Sequence, residues 1–213
     1  MGHREIDLSY IGGFFDGEGT ITIGRLKPKP HVYGGLINTS YTLRFQIAQG
    51  VDNGILQWCR DLVGYGSIHG NYSNRGFYRE IWQAGGKTAY IIIKVLQPYV
   101  HIKRAQIELA IFFQETSKWS IGGHAETKPE ETARRDIICQ AIQCLNQSMG
   151  RVENVGELLG YPIVKNEDNQ QPSQVNVVDI VTWKVQRLTG EEPQTNNPDT
   201  SAHPEREDIV RAV

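Results

Sequence analysis

Residues 10–19 read Tyr10-Ile11-Gly12-Gly13-Phe14-Phe15-Asp16-Gly17-Glu18-Gly19, and the strand-like Thr20-Ile21-Thr22-Ile23 follows at once. Two carboxylates stand two residues apart among four glycines at the end of an apolar helical run. Glycine inside a helix costs roughly 1 kcal/mol against alanine, so Gly12, Gly13 and Gly17 make sense where something approaches the helix closely. Gly13 and Gly17, four apart, share a face. The simplest partner for a bare helical face is a copy of itself, which would bring two Glu18 side chains together. Paired carboxylates at close range call for a divalent cation between them.

Working outward, Asp7 is the expected N-cap of a first helix over Leu8–Phe15. From Thr20 the period changes to two, with Ile21 and Ile23 on one side and Thr20, Thr22 and Gly24 on the other. A proline- and glycine-bearing loop with Lys27, Lys29 and His31 leads to a second strand, in which Tyr41, Leu43, Phe45 and Ile47 alternate with Thr42, Arg44 and Gln46. Asp52 reads as the cap of a second helix that Gly64 stops. A further strand pair spans Gly66–Ser73 and Phe77–Ala84; it carries Ser67, His69, Asn71, Arg75 and Arg79, and its second strand has an ambiguous register. Helices are expected over Thr88–Leu96, Ile102–Glu115 and Pro129–Met149. The class is α+β in the order αββαββα, with an antiparallel sheet, an extra C-terminal helix and a tail. Expected divisions are a core over 1–120, a helical extension over 121–150 and an acidic, partly disordered tail over 151–213. Trp58, Phe112, Phe113 and Trp119 read as core.

The 213 residues carry a formal net charge of −2, yet the charge is unevenly placed. Residues 1–120 hold 13 Lys and Arg against 9 Asp and Glu, and residues 121–213 hold 9 against 15. A basic front half suits a phosphate-facing surface. Cys59, Cys139 and Cys144 have no spacing that suggests a disulfide framework or a zinc site. The expected protein is soluble, without targeting or membrane-spanning segment, and cytoplasmic in a prokaryote or encoded in an organelle. On these residues alone the polar face of the strands reads either as a solvated sheet surface or as an antiparallel ribbon for the DNA major groove, where Gln46 can match adenine and Arg44 guanine.

Ile11 to Gly19 resembles the LAGLIDADG motif of the homing endonucleases, identical at three of nine positions. Phe45-Gln46-Ile47-Ala48-Gln49 resembles the end of that family's second strand, and Leu96-Gln97-Pro98-Tyr99 with Ile102-Lys103 resembles the lead into its third main helix. The likeness is to single-motif, homodimeric members encoded in group I introns. It implies the LAGLIDADG fold and a homodimer joined through Ile11, Gly12, Gly13, Asp16 and Gly17. It also implies Mg²⁺, replaceable by Mn²⁺, at Glu18 and Gly17, with Gln49 and Lys103 organising solvent and charge at the phosphates. Asp16, which cannot point the same way as Glu18, reads as a structural carboxylate. The implied activity is site-specific double-strand cleavage of a long, near-palindromic DNA target, promoting intron homing. Implied DNA contacts are Thr20, Thr22, Gly24, Lys27, Lys29, Thr42, Arg44, Gln46, Ser67, His69, Asn71, Arg75 and Arg79. Asn53 stands where many members have Arg or Lys, which leaves open an RNA maturase bound to its host intron or a non-cleaving DNA-binding protein.

Overall fold

The computed structural model describes all residues except 1, 27–28, 31–35, 38, 51–53, 73–75, 118–127, 149, 163–174 and 191–213, and leaves the side chains of Lys29, Pro30, Leu36, Ile37 and Asn71 undescribed. Helix α1 (His3–Glu18) leads into β1 (Gly19–Leu26). The short pair β2 (Lys29–Pro30) and β3 (Leu36–Ile37) follows, then β4 (Ser40–Gln49), α2 (Ile55–Val63), β5 (Ser67–Tyr72), β6 (Tyr78–Gly85) and α3 (Gly86–Leu96). A 3₁₀ turn at Gln97–Tyr99 leads to α4 (Arg104–Thr116), α5 (Pro129–Gln147), α6 (Val152–Leu159) and α7 (Val177–Thr189). Setting aside the short β2–β3 pair, the order through α3 is the expected αββαββα.

The main sheet is antiparallel, with strand order β1-β4-β6-β5. Ile21, Ile23, Tyr41, Leu43, Phe45, Ile47 and Trp82 point from it into the core, where α1, α2 and α3 cover them. Burying each large apolar side chain is worth about 1.5–3 kcal/mol, and in β1 and β4 alternation assigns that gain to one face. Phe15 of α1 stacks on Phe45, and Trp82 meets Phe45 edge-on. Trp82 Nε1 donates to the Tyr65 carbonyl at 3.0 Å, so the buried indole is satisfied.

Strand β1 is an edge strand, and α5 lies along it. Asn146 Nδ2 donates to the Ile21 carbonyl at 2.8 Å, and Cys139 Sγ to the Ile23 carbonyl at 3.1 Å. Side chains of a helix thereby occupy the acceptors that a fifth strand would otherwise seek.

Several sequence expectations are corrected. Asp7 lies inside α1 and is not its cap; the helix begins at His3 behind Gly2, whose N–H donates to Glu5 Oε2 at 3.1 Å. The same helix runs on through Glu18, because the ladder continues to the Gly19 N–H on the Phe15 carbonyl. Asp52, the expected cap of α2, lies outside the described residues; Gly64 ends that helix in the left-handed conformation, as expected. Trp58 is not core: it is 38% exposed on α2 and packs edge-on against the exposed Tyr10. Trp119 lies outside the described residues.

Residues 152–159 and 177–189 are helices rather than tail. Val155, Leu159, Val177, Ile180 and Val181 are buried in the same continuous core as Leu8 and Ile11, through packing of α6 and α7 on α4 and α5. Residues 191–213 lie outside the description. Among the described residues no helix is long and apolar enough to cross a membrane.

Candidate carboxylate centre and nucleic-acid interface

Glu18 is the last residue of α1 and its side chain is exposed. The turn into β1 requires glycine next: a Cβ on Gly19 would lie 2.0 Å from the Phe15 ring. Lys103 reaches the same helix end, its Nζ donating to the Phe15 carbonyl at 3.1 Å and lying 5.6 Å from the Phe15 ring centre. A cation there complements the negative end of the helix dipole. Burial pushes the Lys103 pKa below the ordinary lysine value, while the carboxylates of Asp16 and Glu18 pull it back up. Glu18 and Lys103, far apart in sequence, thus share one electrostatic site.

Asp16 differs from Glu18 in its surroundings. It is buried, and its two oxygens accept the backbone N–H groups of His101 at 2.8 Å and Lys103 at 2.9 Å. These bonds tie the segment before α4 to α1, which agrees with the structural reading of this carboxylate. Gln49 ends β4 half-buried. Ile47, two residues earlier on the strand, pairs with Gly19, so Gln49 finishes at the same end of the sheet as Glu18.

The helical face expected to meet a second chain is narrower than the sequence suggested. Ile11 is fully buried in its own core, and Asp16 is committed to the His101–Lys103 segment. Gly12 packs on the chain itself, where an added Cβ would lie 2.5 Å from the Tyr99 carbonyl oxygen. Those three do not form an outward face. Gly13 and Gly17 do: both are exposed, and an added Cβ would meet nothing within 4 Å. Tyr10 and Phe14, stacked on one another, flank them.

The sheet surface opposite the core is polar. Thr20, Gln46, Gln83 and Ser67 are successive register partners, one row across all four strands. Thr22 and Arg44 form the next row, with Gly24 beyond them opposite Thr42. The Arg44 guanidinium lies over Gly24, whose added Cβ would come within 3.1 Å of Arg44 Nε. His69 sits on the far strand with its Nε2 3.0 Å from the Ser67 hydroxyl. Arg79 is exposed opposite Asn71. Lys27 and Arg75, with His31 and Asn53, lie outside the described residues, as do the side chains of Lys29 and Asn71.

Gln83 is an addition to the sequence-derived set, on a strand whose register the sequence left ambiguous. Arg25, by contrast, is drawn away from this face: its Nε pairs with Asp136 of α5 at 3.3 Å. Tyr41 donates to the same carboxylate at 2.8 Å, and burial together with that bond raises its pKa to about 12. Among the described residues no three His, Cys, Asp or Glu side chains come together to hold a metal ion.

No family model matches the sequence, and no curated protein matches it. Solved structures do. The chain is similar to the homing endonuclease I-CvuI in complex with the I-CreI target, with 15% identity, a TM-score of 0.46, and coverage of 88% of this chain and 97% of that one. It is similar to the LAGLIDADG meganuclease I-AabMI bound to uncleaved DNA, with 21% identity, a TM-score of 0.46, and coverage of 82% and 56%. It is also similar to the group I intron-encoded homing endonuclease I-CeuI complexed with DNA, with 12% identity, a TM-score of 0.37, and coverage of 86% and 78%. The structural neighbours are homing endonucleases and meganucleases, some of them described as LAGLIDADG proteins.

Proposed function

We propose that two copies of this chain form a Mg²⁺-dependent, site-specific endonuclease that hydrolyses one phosphodiester in each strand of a long, near-palindromic DNA duplex. The observation that carries the reading is the exposed Glu18 beside Lys103 at the foot of α1, next to the bare Gly13 and Gly17 face. Close approach of two such faces sets the two Glu18 carboxylates side by side.

The donor set fits a hard divalent cation when two chains and DNA combine. Glu18 supplies a carboxylate at a helix C-terminus, and the adjacent Gly17 carbonyl is a second oxygen donor. Among the described residues of one chain no three His, Cys, Asp or Glu side chains come together; in this reading Glu18 and Gly17 of each chain would hold the ion, and the second chain, the DNA phosphates and water would supply further oxygens. Mg²⁺, or Mn²⁺ in its place, supplies an activated water and neutralises charge at the leaving oxygen. Lys103 holds a positive charge where the phosphoryl group becomes more negative. Gln49 hydrogen-bonds and orients water at the sheet end.

Sequence reading falls to the polar face of the sheet. Gln46 and Gln83 match adenine and Arg44 guanine, while Thr20, Thr22, Thr42, Ser67 and His69 make single contacts and Gly24 admits the Arg44 side chain. Lys27, Lys29, Asn71, Arg75 and Arg79 bind backbone phosphates, so affinity falls steeply with salt. The biological role is homing of a host intron into alleles that lack it.

The test is cleavage of a plasmid carrying the uninterrupted insertion sequence, with and without Mg²⁺, by wild type and Glu18→Gln. Metal-dependent double-strand cuts that vanish in the variant support the reading. Tight binding of both proteins with no cutting by either sinks it.

A further inference from the structure

The segment His101–Lys103 carries the ammonium group of the site and is gripped from two sides. On one side Asp16 accepts the N–H groups of His101 and Lys103. On the other lies the turn between α5 and α6. Gly150 in that turn has φ +85°, and its N–H donates to the Leu145 carbonyl at 2.8 Å. A Cβ on Gly150 would stand 2.9 Å from the Ile102 carbonyl oxygen, and 3.7 and 3.8 Å from the side-chain amide of the buried Gln106 in the first turn of α4. One turn back on α5, Asn146 is bonded to β1, and α6 and α7 pack behind. The turn therefore has little room to retreat.

We propose that the Gly150 turn, and through it the C-terminal helical block, is a positioning element for Lys103: it presses on Ile102 and so fixes where the ammonium group sits at the end of α1. Gly150 touches neither substrate nor metal in this assignment. It acts through the backbone of Ile102 and Lys103, and its glycine is required by contact as well as by its left-handed conformation. The proposal rests on the nuclease reading for its kinetic arm only.

Three variants separate contact from backbone strain. Gly150→Ala brings both the Cβ contact and the strain. Gly150→Asn brings the contact with less strain, because asparagine visits the left-handed region readily, and it serves if the alanine variant does not fold. Gly160→Ala is the control: φ is +70° and an added Cβ meets nothing within 4 Å. The first readout needs no DNA. In protein labelled with carbon-13 at the lysine ε position, the Lys103 signal, assigned by its loss in Lys103→Arg, carries a ring-current shift from Phe15. That shift is expected to move in both Gly150 variants and to stay put in Gly160→Ala. The second readout is single-turnover cleavage, expected to slow by about 10- to 100-fold in the Gly150 variants, as for an ångström-scale misplacement, with DNA affinity unchanged. An unmoved Lys103 signal in a folded Gly150 variant overturns the proposal. If the wild type does not cut DNA, the nuclease reading fails and the Lys103 signal alone decides the positioning claim.

Discussion

Replacing Asp16 separates support from chemistry at the carboxylate pair. The residue is 8% exposed, and its carboxylate accepts two backbone N–H groups at 2.8 and 2.9 Å. Hydrogen bonds to a charged acceptor contribute about 1.5–3 kcal/mol each, and a stranded buried donor costs a similar amount. Asp16→Asn keeps one oxygen acceptor but turns an NH₂ group toward the other N–H, so one bond is lost; the expected loss is about 2 kcal/mol. Asp16→Ala strands both donors and is expected to lose about 3–5 kcal/mol. Glu18→Gln alters an exposed side chain and should stay within about 0.5 kcal/mol of the wild type. Urea unfolding at one fixed protein concentration, followed by tryptophan fluorescence, to which the buried Trp82 contributes, measures all three. For a chain of this size the asparagine variant should also lower the Tm by about 4–8 °C. If Asp16→Asn unfolds within about 0.5 kcal/mol of the wild type, the two bonds do not hold the segment and the reasoning is wrong.

Other outcomes follow from the same geometry. Gly12→Ala should destabilise the chain by about 1–3 kcal/mol through overpacking against Tyr99, whereas Gly13→Ala and Gly17→Ala should raise single-chain helix stability by up to about 1 kcal/mol each and weaken self-association in sedimentation. Unchanged association would remove that face from the interface. Tyr41 holds its proton more tightly folded, near pH 12, than unfolded, near pH 10. Its contribution, on the order of 2 kcal/mol, is complete below pH 10 and lost as the pH rises through 12; Tyr41→Phe should remove that alkaline component from urea unfolding measured across the range. Gln83→Ala should relax base preference at one position per half-site by about 1–3 kcal/mol in binding-site selection, whereas Arg79→Ala should weaken all sites alike and lower the salt slope by about one.

Strands β1 and β4 were legible because each has one face in the core and one outside, so Ile21 and Ile23, or Leu43, Phe45 and Ile47, recur at every second position, with Thr20 and Thr22, or Thr42, Arg44 and Gln46, between them. Strand β6 was not. Ile81 and Trp82 are consecutive and both buried, Trp82 toward the core and Ile81 on the opposite face between its register partners Ala48 and His69. That breaks the period of two and hid Gln83. Adjacent glycines are equally mute in sequence: only Tyr99, far along the chain, distinguishes the filled surroundings of Gly12 from the open ones of Gly13. Helix α6 is too short to declare itself, since isolated helices of that length are marginal in water; its stability comes from burying Val155 and Leu159 against neighbours. The structural role of Asp16 could be read from its two-residue offset from Glu18, but its partners could not.

The bonds that close the edge of β1 have a consequence for biosynthesis. Cys139 and Asn146 lie 116 and 125 residues beyond the carbonyls they satisfy. At about 5–20 residues per second, the ribosome needs roughly 6–25 s after making β1 before it delivers α5. From the completion of β6 at Gly85 until α5 is delivered, the nascent chain can hold the four-stranded sheet with a bare β1 edge, open to the same strand on a neighbouring ribosome. The helix that splints the finished molecule is therefore also the last safeguard to arrive, and a truncation before residue 139 would leave that interval permanent.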